Sequence, residues 1–526
     1  MNGDNHPHDI FISYSRKNKD AVLLIKGEIE RTLGLKCWMD LEGIESGSRE
    51  FTQDIIDAID TSTTFLFFLS TSSQESEWAL KEIDYAKSER KHVVLVKYNS
   101  DPMTKKFRFE FGRTDIIDWR VSEQKEKLVR DLKKWASQCS AHQSVGTICE
   151  NDETATARVW AALNNPEKTC LVQIAPAVRI AVGEAFGMKP GELTTGKIYA
   201  ALRKLGFDKV FDTNFSADVM IIEMVTEFLK RFIEGKDLPL LTSCCPACTD
   251  WMEKYAHDFT ENFSTAKSPH QMLSALCKSY WAEKNGVDHT KVHVTSIMPC
   301  TAEKYEISRA EYMSTTGTQD TDVVLTTSEL ARMIKVKGID FASLPEESAD
   351  KLFGAYTGAG TIFGVTGGVM EAALRTLYCL ITGEVQPPSI DFQAVRGMKG
   401  VKTATINIKG TKVNIAVAHQ MDDVKKVLDM IREDRKNGVK PRFDFIEVMA
   451  CRGGCIGGDG QPCLATDEIR AQRAAGLYSD DEKCTFRMSH LNPEVTALYS
   501  DYLGGKTDAQ GGEKAHQLLH TKYTKN

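Results

Sequence analysis

The sequence predicts an α/β protein in which helices cover both faces of parallel sheets. Short apolar runs at 9–13, 65–69 and 93–96 alternate with helical stretches in the first third of the 526-residue chain, the order expected of a parallel sheet. A second alternation of the same kind begins at residue 157. In that second region, three predicted strands each run into a turn that contains cysteine. The chain is therefore expected to fold as two α/β regions, the second of which carries a cysteine-based site.

The composition is that of a globular protein and argues against several classes of function. Hydrophobic residues make up 42% and charged residues 26% of the chain, which provides for a sizeable core. A net charge of −7 argues against general binding of nucleic acid. No apolar run approaches the ~20 residues of a membrane span, and the opening residues lack the plan of a secretory signal. We therefore expect a cytoplasmic protein, in which the 14 cysteines serve metal binding, catalysis or burial rather than disulfides.

Residues 1–137 form the first predicted domain. Its predicted helices are 19–33, 50–60, 76–90 and 122–137, and a weaker strand lies at 114–119. The size and the alternation of elements predict a flavodoxin-like fold.

Three stretches narrow the identity of this domain. DIFISYSRKNKD opens it, KCWMDLEGIESGS follows the second strand, and LSTSSQESEWALKEI places Trp78 and Glu82 four apart on one helix face. Together they resemble a TIR domain of the bacterial type. In TIR domains that cleave NAD, the glutamate of that helix is catalytic, so the resemblance implies this role for Glu82, where a carboxylate can stabilise the cationic sugar left by departing nicotinamide. The alternative is a domain that only self-associates; by resemblance, the 40–48 loop serves TIR–TIR association and gates the pocket.

A polar segment, residues 138–156, is the predicted linker. It shows no sustained apolar period. Its cysteines, Cys139 and Cys149, have no partners at metal-ligand spacing, so we expect them to be free thiols.

Three cysteine-bearing stretches of the second domain, 157–526, follow predicted strands. They are LPLLTSCCPACTDW (238–251), VHVTSIMPCTAEKYE (292–306) and FDFIEVMACRGGCIGGDGQP (443–462). Open α/β sheets bind ligands at the carboxyl ends of their strands, so the three turns are expected to converge. The last stretch also contains five glycines, which let a backbone take positive φ or approach another body closely.

The cysteines themselves allow two kinds of metal site. One is structural zinc, with the ligands Cys245, Cys248, Cys451 and Cys455. It leaves Cys244 and Cys300 without a role and has no use for so many glycines. The other is an iron–sulfur cubane, which takes four thiolates, from Cys245, Cys300, Cys451 and Cys455.

The same three stretches resemble, in order and approximate spacing, the signature stretches of the iron-only hydrogenases. QIAPAVR, FDTNFSADVMIIE, TAKSPHQM and IFGVTGGVMEAALR agree with that family, and the tail from about 486 to 526 resembles its terminal belt segment. The resemblance covers roughly residues 156–526. It implies a two-lobed α/β catalytic domain with a C-terminal helical belt. It also implies an H-cluster, a 4Fe-4S cubane joined through one cysteine sulfur to a di-iron subsite that carries CO and cyanide.

The resemblance also implies roles for individual residues. Cys245, Cys300, Cys451 and Cys455 hold the cubane, and Cys455 is the bridging ligand. Cys244 passes protons to the subsite, a task suited to a thiol with an ordinary pKa of about 8.5. The apolar side chains expected around the subsite are Pro176, Met298, Phe363 and Met449. Glu227 and Ser264 belong to the implied proton path.

Two positions near the implied subsite depart from the family pattern. Glu303 replaces a lysine that hydrogen-bonds a cyanide ligand, and a carboxylate repels an anion unless it is protonated. Lys304 is adjacent, and a one-residue local shift would bring it in. His270 stands where the family has a glutamine.

Three further departures affect the proton path and the cubane loops. Met224 replaces the inner glutamate of the path and has no proton to relay, while its neighbour Glu223 points elsewhere on the helix. Cys248 stands where a tryptophan is expected. Asp459 replaces a glycine, which is tolerable because aspartate visits left-handed conformations better than most residues.

Three functions follow from these features. The first is interconversion of protons, electrons and dihydrogen, with a ferredoxin or similar one-electron carrier as the partner and hydrogenase maturation proteins to build the cofactor. The second is a sensor in which the cluster domain responds to dihydrogen or redox state and controls TIR assembly or NAD cleavage. The third is a scaffold that holds a cubane alone and does not turn over.

Overall fold

The computed structural model describes residues 9–39, 55, 58–59, 62, 64–88, 91–111, 114–140, 155–309, 317–384, 387, 391–462, 465–505 and 512–523. These residues form two compact units, one within 1–152 and the other within 153–526. No helix in the described part of the chain is long and apolar enough to cross a membrane.

The first unit is built on a five-stranded parallel sheet with the order β2-β1-β3-β4-β5. Its strands are β1 (Ile10–Ser13), β2 (Cys37–Trp38), β3 (Thr64–Leu69), β4 (His92–Lys97) and β5 (Asp115–Asp118). Its helices are α1 (Lys19–Leu33), α2 (Thr71–Gln74), α3 (Glu77–Ser88), α4 (Lys105–Phe111) and α5 (Ser122–Ser140).

Strand β3 shows why helices cover both faces of this sheet. All six of its residues are buried. Leu66 and Phe68 pack into one apolar cluster and Phe65 and Phe67 into another, because successive side chains of a strand point to opposite faces. The flavodoxin-like fold predicted for this region is confirmed. The predicted helix at 50–60 and the 40–48 loop lie mostly or wholly outside the described residues.

The second unit contains two four-stranded sheets. The first has the order β10-β9-β6-β7 and is parallel throughout; the second has the order β11-β12-β13-β8, with an antiparallel β11–β12 pair and parallel pairs beyond it. The strands are β6 (Thr169–Ile174), β7 (Lys209–Asp212), β8 (Leu240–Leu241), β9 (Val292–Met298), β10 (Val323–Thr326), β11 (Val401–Ile408), β12 (Thr411–His419) and β13 (Phe445–Met449). Two sheets in one unit agree with the expected two-lobed α/β domain.

Helices surround both sheets of this unit. They are α6 (Ala155–Leu163), α7 (Thr195–Leu205), α8 (Thr213–Glu234), α9 (Pro246–Tyr255), α10 (Pro269–Leu276), α11 (Ala282–Asn285), α12 (Ala302–Glu306), α13 (Thr327–Val336), α14 (Gly358–Thr361), α15 (Gly368–Thr382), α16 (Met421–Lys436), α17 (Asp467–Lys483), α18 (Pro493–Leu498) and α19 (Glu513–Leu519). The 22-residue α8 is central: the Asp212 side chain caps its first turn, Gly235 at φ 64° ends it, and most of its residues are buried.

The C-terminal segment packs onto the same core as α8. Leu498, Tyr499 and Leu519 are buried in one apolar cluster with the α8 side chains. The backbone N–H of Lys267 donates to the carbonyl of Leu519 at 2.8 Å. These contacts fix the tail against the body of the unit, as expected of a helical belt.

Candidate functional site

An apolar cavity lies where β6, β9, β13 and the short β8 end, at the carboxyl ends of parallel strands. Its wall is formed by Ala175, Pro176, Ala177, Thr213, Ala217, Cys244, Cys245, Ser268, Pro269, His270, Met298, Pro299, Glu303, Phe363, Gly364, Met449 and Cys455. All four apolar residues that the family resemblance implies around a subsite are in this wall. The polar side chains on it are three thiols, two hydroxyls, one imidazole and one carboxyl.

Hydrogen bonds tie the three cysteine turns together. The N–H of Ala450, just before Cys451, donates to Cys245 Sγ at 3.5 Å. The N–H of Gly460 donates to the Pro299 carbonyl at 2.9 Å. Segments far apart in sequence therefore meet at one edge, as the strand ends predict.

The glycines serve this meeting of loops in a way that the sequence did not reveal. A Cβ on Gly458 would lie 2.2 Å from the Pro299 carbonyl oxygen, and one on Gly460 would lie 2.9 Å from the Pro299 carbonyl carbon. Gly454 has a φ of 90°, which favours glycine, and a Cβ at this position would lie only 2.7 Å from the backbone N of Thr366. The close approach is thus to neighbouring backbone, which brings the Cys300 turn against the Cys451–Cys455 loop.

Asp459 has a structural task in the same loop. It is exposed, and its two carboxylate oxygens accept from the N–H of Thr301 at 2.9 Å and from the Thr301 hydroxyl at 2.5 Å. It is not among the residues with positive φ. The left-handed conformation invoked for Asp459 is therefore not what the structure uses; the side chain ties the loop to the residue after Cys300.

The four candidate thiols belong to half-buried cysteines that lie close enough to influence one another electrostatically. Burial and the charge of Cys245 raise the pKa of Cys451 to about 12. Burial raises the pKa of Cys300 and Cys455 well above the usual thiol value, and charge on Cys245 and Cys451 adds to both effects. Four such thiols do not ionise together without positive charge beside them, which a metal cluster supplies.

The cysteines can be compared with the donor set that each metal alternative needs. Among the residues that the structure describes, no group of three or more Cys, His, Asp or Glu side chains is arranged around a single metal ion. A donor set of four mutually coupled thiols fits a larger body such as a cubane.

Cys248, one of the ligands in the zinc alternative, is a hydrogen-bond partner of Cys245 in the structure. Its fully buried thiol hydrogen-bonds the Cys245 sulfur and, as the largest influence, lowers the pKa of Cys245 to about 7. Cys244 faces the cavity and has the Thr242 hydroxyl as a hydrogen-bond partner, while burial raises its pKa well above the usual value. Neither partnership was readable from the sequence, because nothing in the spacing gives the direction of a thiol.

Glu303, and not Lys304, reaches the cavity. Burial raises the pKa of Glu303 to about 7, and within the described residues its Oε2 atom has no hydrogen-bond partner. Lys304 lies against Glu329, with 2.5 Å between Nζ and Oε1. Adjacent residues of α12 point about 100° apart, so the one-residue shift considered for Lys304 does not occur in this structure.

His270 also lines the cavity and has a buried carboxylate behind it. Its Nε2 atom lies 2.6 Å from Glu306 Oε2, which also accepts from the Ser268 hydroxyl at 3.0 Å. Glu306 was not identified in the sequence, although it lies on α12 one turn after Glu303.

The two residues that the resemblance assigns to a proton path, Glu227 and Ser264, are hydrogen-bonded to each other. Glu227 Oε2 accepts from the Ser264 hydroxyl at 2.7 Å, and Glu227 Oε1 pairs with Arg231 at 2.6 Å. Met224 is fully buried in the apolar core. Glu223, as expected, faces elsewhere: it bonds to Tyr499 and, at 2.9 Å, to His520 Nε2 in the tail.

In the first unit, the candidate carboxylate lies at the end of β1. Glu82 on α3 accepts a hydrogen bond from Ser13 Oγ at 2.6 Å and is half-buried. The contact places Glu82 at the carboxyl edge of the sheet, the position at which flavodoxin-like folds bind ligands.

Each match to a known family lies within one of the two compact units. A family model described as the C-terminal domain of the iron-only hydrogenase large subunit matches residues 168–459, and one for the iron hydrogenase small subunit matches 467–526. A TIR-domain model matches residues 10–132.

Individual relatives show how far the similarity extends. The NADP-reducing hydrogenase subunit HndD of Solidesulfovibrio fructosivorans is 46% identical over 74% of this chain and 65% of its own length, so the chain spans less than two thirds of that relative. The periplasmic Fe hydrogenase large subunit of Nitratidesulfovibrio vulgaris is 49% identical over 60% of this chain and 75% of its own length. A solved structure of the Chlamydomonas reinhardtii FeFe-hydrogenase HydA1 is 38% identical with a TM-score of 0.62, covering 70% of this chain and 99% of that one.

Proposed function

Since the chain belongs to the iron-only hydrogenase family, we propose that its larger unit holds an H-cluster and interconverts protons, electrons and dihydrogen. The observation that carries this is the convergence of three strand-end turns, which bring coupled thiols to one apolar cavity. The boundaries 1–137, 138–156 and 157–526 for the TIR domain, linker and cluster domain belong to the same proposal.

Four thiolates would hold the cubane: Cys245, Cys300, Cys451 and Cys455, with Cys455 bridging to the subsite. When bound, the H-cluster supplies the iron at which dihydrogen is split or formed. Splitting one dihydrogen releases two protons and two electrons, and two molecules of an external one-electron carrier, of the ferredoxin type, take the electrons.

The protein side chains supply exclusion of water and movement of protons. Pro176, Met298, Phe363 and Met449 form an apolar wall, which strengthens electrostatic interactions inside the cavity. Cys244 carries a proton at Sγ on the same wall and is positioned by Thr242.

For the TIR domain we propose NAD cleavage with Glu82 as the catalytic carboxylate. Ser13 orients this carboxylate through the 2.6 Å hydrogen bond, and the negative charge favours the cationic sugar formed as nicotinamide leaves. TIR–TIR association would bring copies of the chain together; the 40–48 loop assigned to it lies outside the described residues.

Two specific observations support other functions. Fusion of a TIR domain to a cluster domain whose proton path is altered at Met224 favours a sensor of dihydrogen or redox state. Similarity to the cytosolic Fe-S cluster assembly factor narfl of Xenopus tropicalis, 30% identical over 68% of this chain and 74% of its own length, favours a scaffold with a cubane alone.

Infrared spectroscopy on anaerobically matured protein separates these functions. Bands from CO and cyanide are expected if the di-iron subsite is present, and a cubane without those bands would leave only the scaffold. Dihydrogen evolution from reduced methyl viologen then tests turnover. Bands without turnover, together with NAD consumption that changes under dihydrogen, would favour the sensor.

A further inference from the structure

We infer that His270, oriented by Glu306, is a second proton-transfer residue on the cavity wall, beside Cys244. The inference rests on the proposed function, since it assigns a role in dihydrogen turnover. It gives the imidazole a task that the glutamine of the family pattern does not perform.

The altered path creates the need for such a residue. Ser264 and Glu227 are hydrogen-bonded as a proton path requires, but the inner position is Met224, which is buried among apolar side chains and carries no exchangeable proton. The nearest carboxylate on the helix, Glu223, is engaged by Tyr499 and His520 on the side of the tail. The outer path is intact and its connection to the cavity is interrupted.

The geometry of His270 is that of a general acid–base group. A carboxylate only accepts hydrogen bonds, so the 2.6 Å contact to Glu306 Oε2 places a proton on Nε2. The other ring nitrogen, Nδ1, is buried and has no partner within the described residues. An imidazole held at one nitrogen by a buried carboxylate presents its second nitrogen as a base, the arrangement used by catalytic triads.

The surroundings keep this pair ordered and free of bulk water. His270 is 3% exposed and Glu306 is 1% exposed. The Ser268 hydroxyl gives Glu306 a second donor at 3.0 Å, and the carbonyl of His270 accepts from Gln173 Nε2 at 2.8 Å. The other ionisable neighbour, Glu303, is on the same wall and responds to charge on His270.

The step moves one proton and changes no oxidation state. As dihydrogen is oxidised, Nδ1 accepts a proton from the cavity while the Nε2 proton passes to Glu306 Oε2; as dihydrogen is formed, both transfers reverse. Glu306 is a positioning residue and proton acceptor, and His270 is the group that faces the reacting proton.

The test combines His270→Gln with a repair of the interrupted path. His270→Gln should lower viologen-driven turnover by at least about 10-fold, since general acid–base groups contribute roughly 10²–10⁴, with the CO and cyanide infrared bands retained. Adding Met224→Glu should restore turnover in the double variant, because a carboxyl returns to the inner position. A merely structural role for His270 predicts no such rescue.

His293→Gln is the matched control. His293 is largely shielded, and among the residues that the structure describes its Nε2 has no hydrogen-bond partner, like the Nδ1 of His270. It lies on β9 five residues before Met298, outside the cavity wall. Its replacement should leave turnover unchanged. An equal loss in both variants would overturn the inference.

Nitrogen-15 NMR of histidine-labelled, metal-free chain tests the pair without turnover. His270 should show the Nε2–H tautomer, and Glu306→Gln should change its hydrogen-bonded proton signal. An Nδ1–H tautomer, or normal turnover in His270→Gln, overturns the inference. Absence of turnover in the wild-type chain with its infrared bands present would instead count against the proposed function, and the tautomer would still decide the geometry.

Discussion

The two units hold their proposed functional groups in different ways. In the TIR unit, a half-buried carboxylate on one helix receives a hydrogen bond from the end of one strand, Glu82 from Ser13. In the cluster unit, three distant turns contribute to one cavity wall, and each turn is tied to another, as by Gly460 to Pro299. A single charged group needs one local partner, whereas a cofactor with several ligands needs the tertiary structure to bring the loops together. Substitutions should therefore have local effects in the first unit and shared effects in the second.

The largest expected effect is that of Cys244→Ala. Turnover should fall by about 10²–10⁴ because a proton carrier is lost from the cavity wall, while iron content and the infrared bands stay unchanged, since Cys244 is not a proposed ligand. Cys277→Ala, a buried cysteine outside the cavity wall, is the control. Loss of the bands in Cys244→Ala would show that this residue holds the cofactor.

Glu82→Gln should affect only the activity proposed for the TIR unit. NAD consumption by the full chain should fall by about 100-fold or more, since a charge aimed at the reacting centre is removed, and Ser13→Ala should cause a smaller fall. Dihydrogen turnover should not change in either variant. Glu28→Gln, at the ion pair with Lys125, is the control, and unchanged NAD consumption in Glu82→Gln would rule out the proposed cleavage.

Glu303→Gln should stabilise the metal-free chain at alkaline pH. The pKa of Glu303 is raised by burial to about 7 from an ordinary 4.5, so the folded state binds more protons and loses stability as pH rises between these values. The substitution should raise the free energy of unfolding at pH 8 by up to about 3 kcal/mol and have little effect below pH ~4.5. Urea unfolding at both pH values measures this. An equal change in the free energy of unfolding at both pH values would contradict the raised pKa of Glu303.

Cys248→Ala should give the smallest change. Loss of the thiol hydrogen bond to Cys245 makes that sulfur a stronger electron donor, so the cubane potential should become more negative. A redox titration followed by electron paramagnetic resonance measures the shift. Cys379→Ala, whose thiol donates to the Arg375 carbonyl, should leave the potential where it is.

Local sequence patterns were reliable where one segment decides the outcome. The apolar run at 65–69 predicted a short strand, which the structure shows as the buried β3, and strand ends followed by cysteines predicted a shared edge. Strand β8 is only two residues long, Leu240–Leu241, because the turn that carries Cys244 and Cys245 begins almost at once. Its pairing with β13 comes from the sheet rather than from its own composition.

The sequence by itself determined the two α/β regions, the family of each, and the residues available as ligands and proton carriers. The tertiary structure decided how those residues are used. Glu303 faces the cavity while Lys304 does not, and Cys248 hydrogen-bonds Cys245. The glycines allow the Pro299 backbone to approach, and Glu306 hydrogen-bonds His270. Spacing along the chain fixes residue type and strand or helix phase. The direction of a side chain and its buried partner depend on elements far away in sequence, whose packing settles the burial and charge that each group meets.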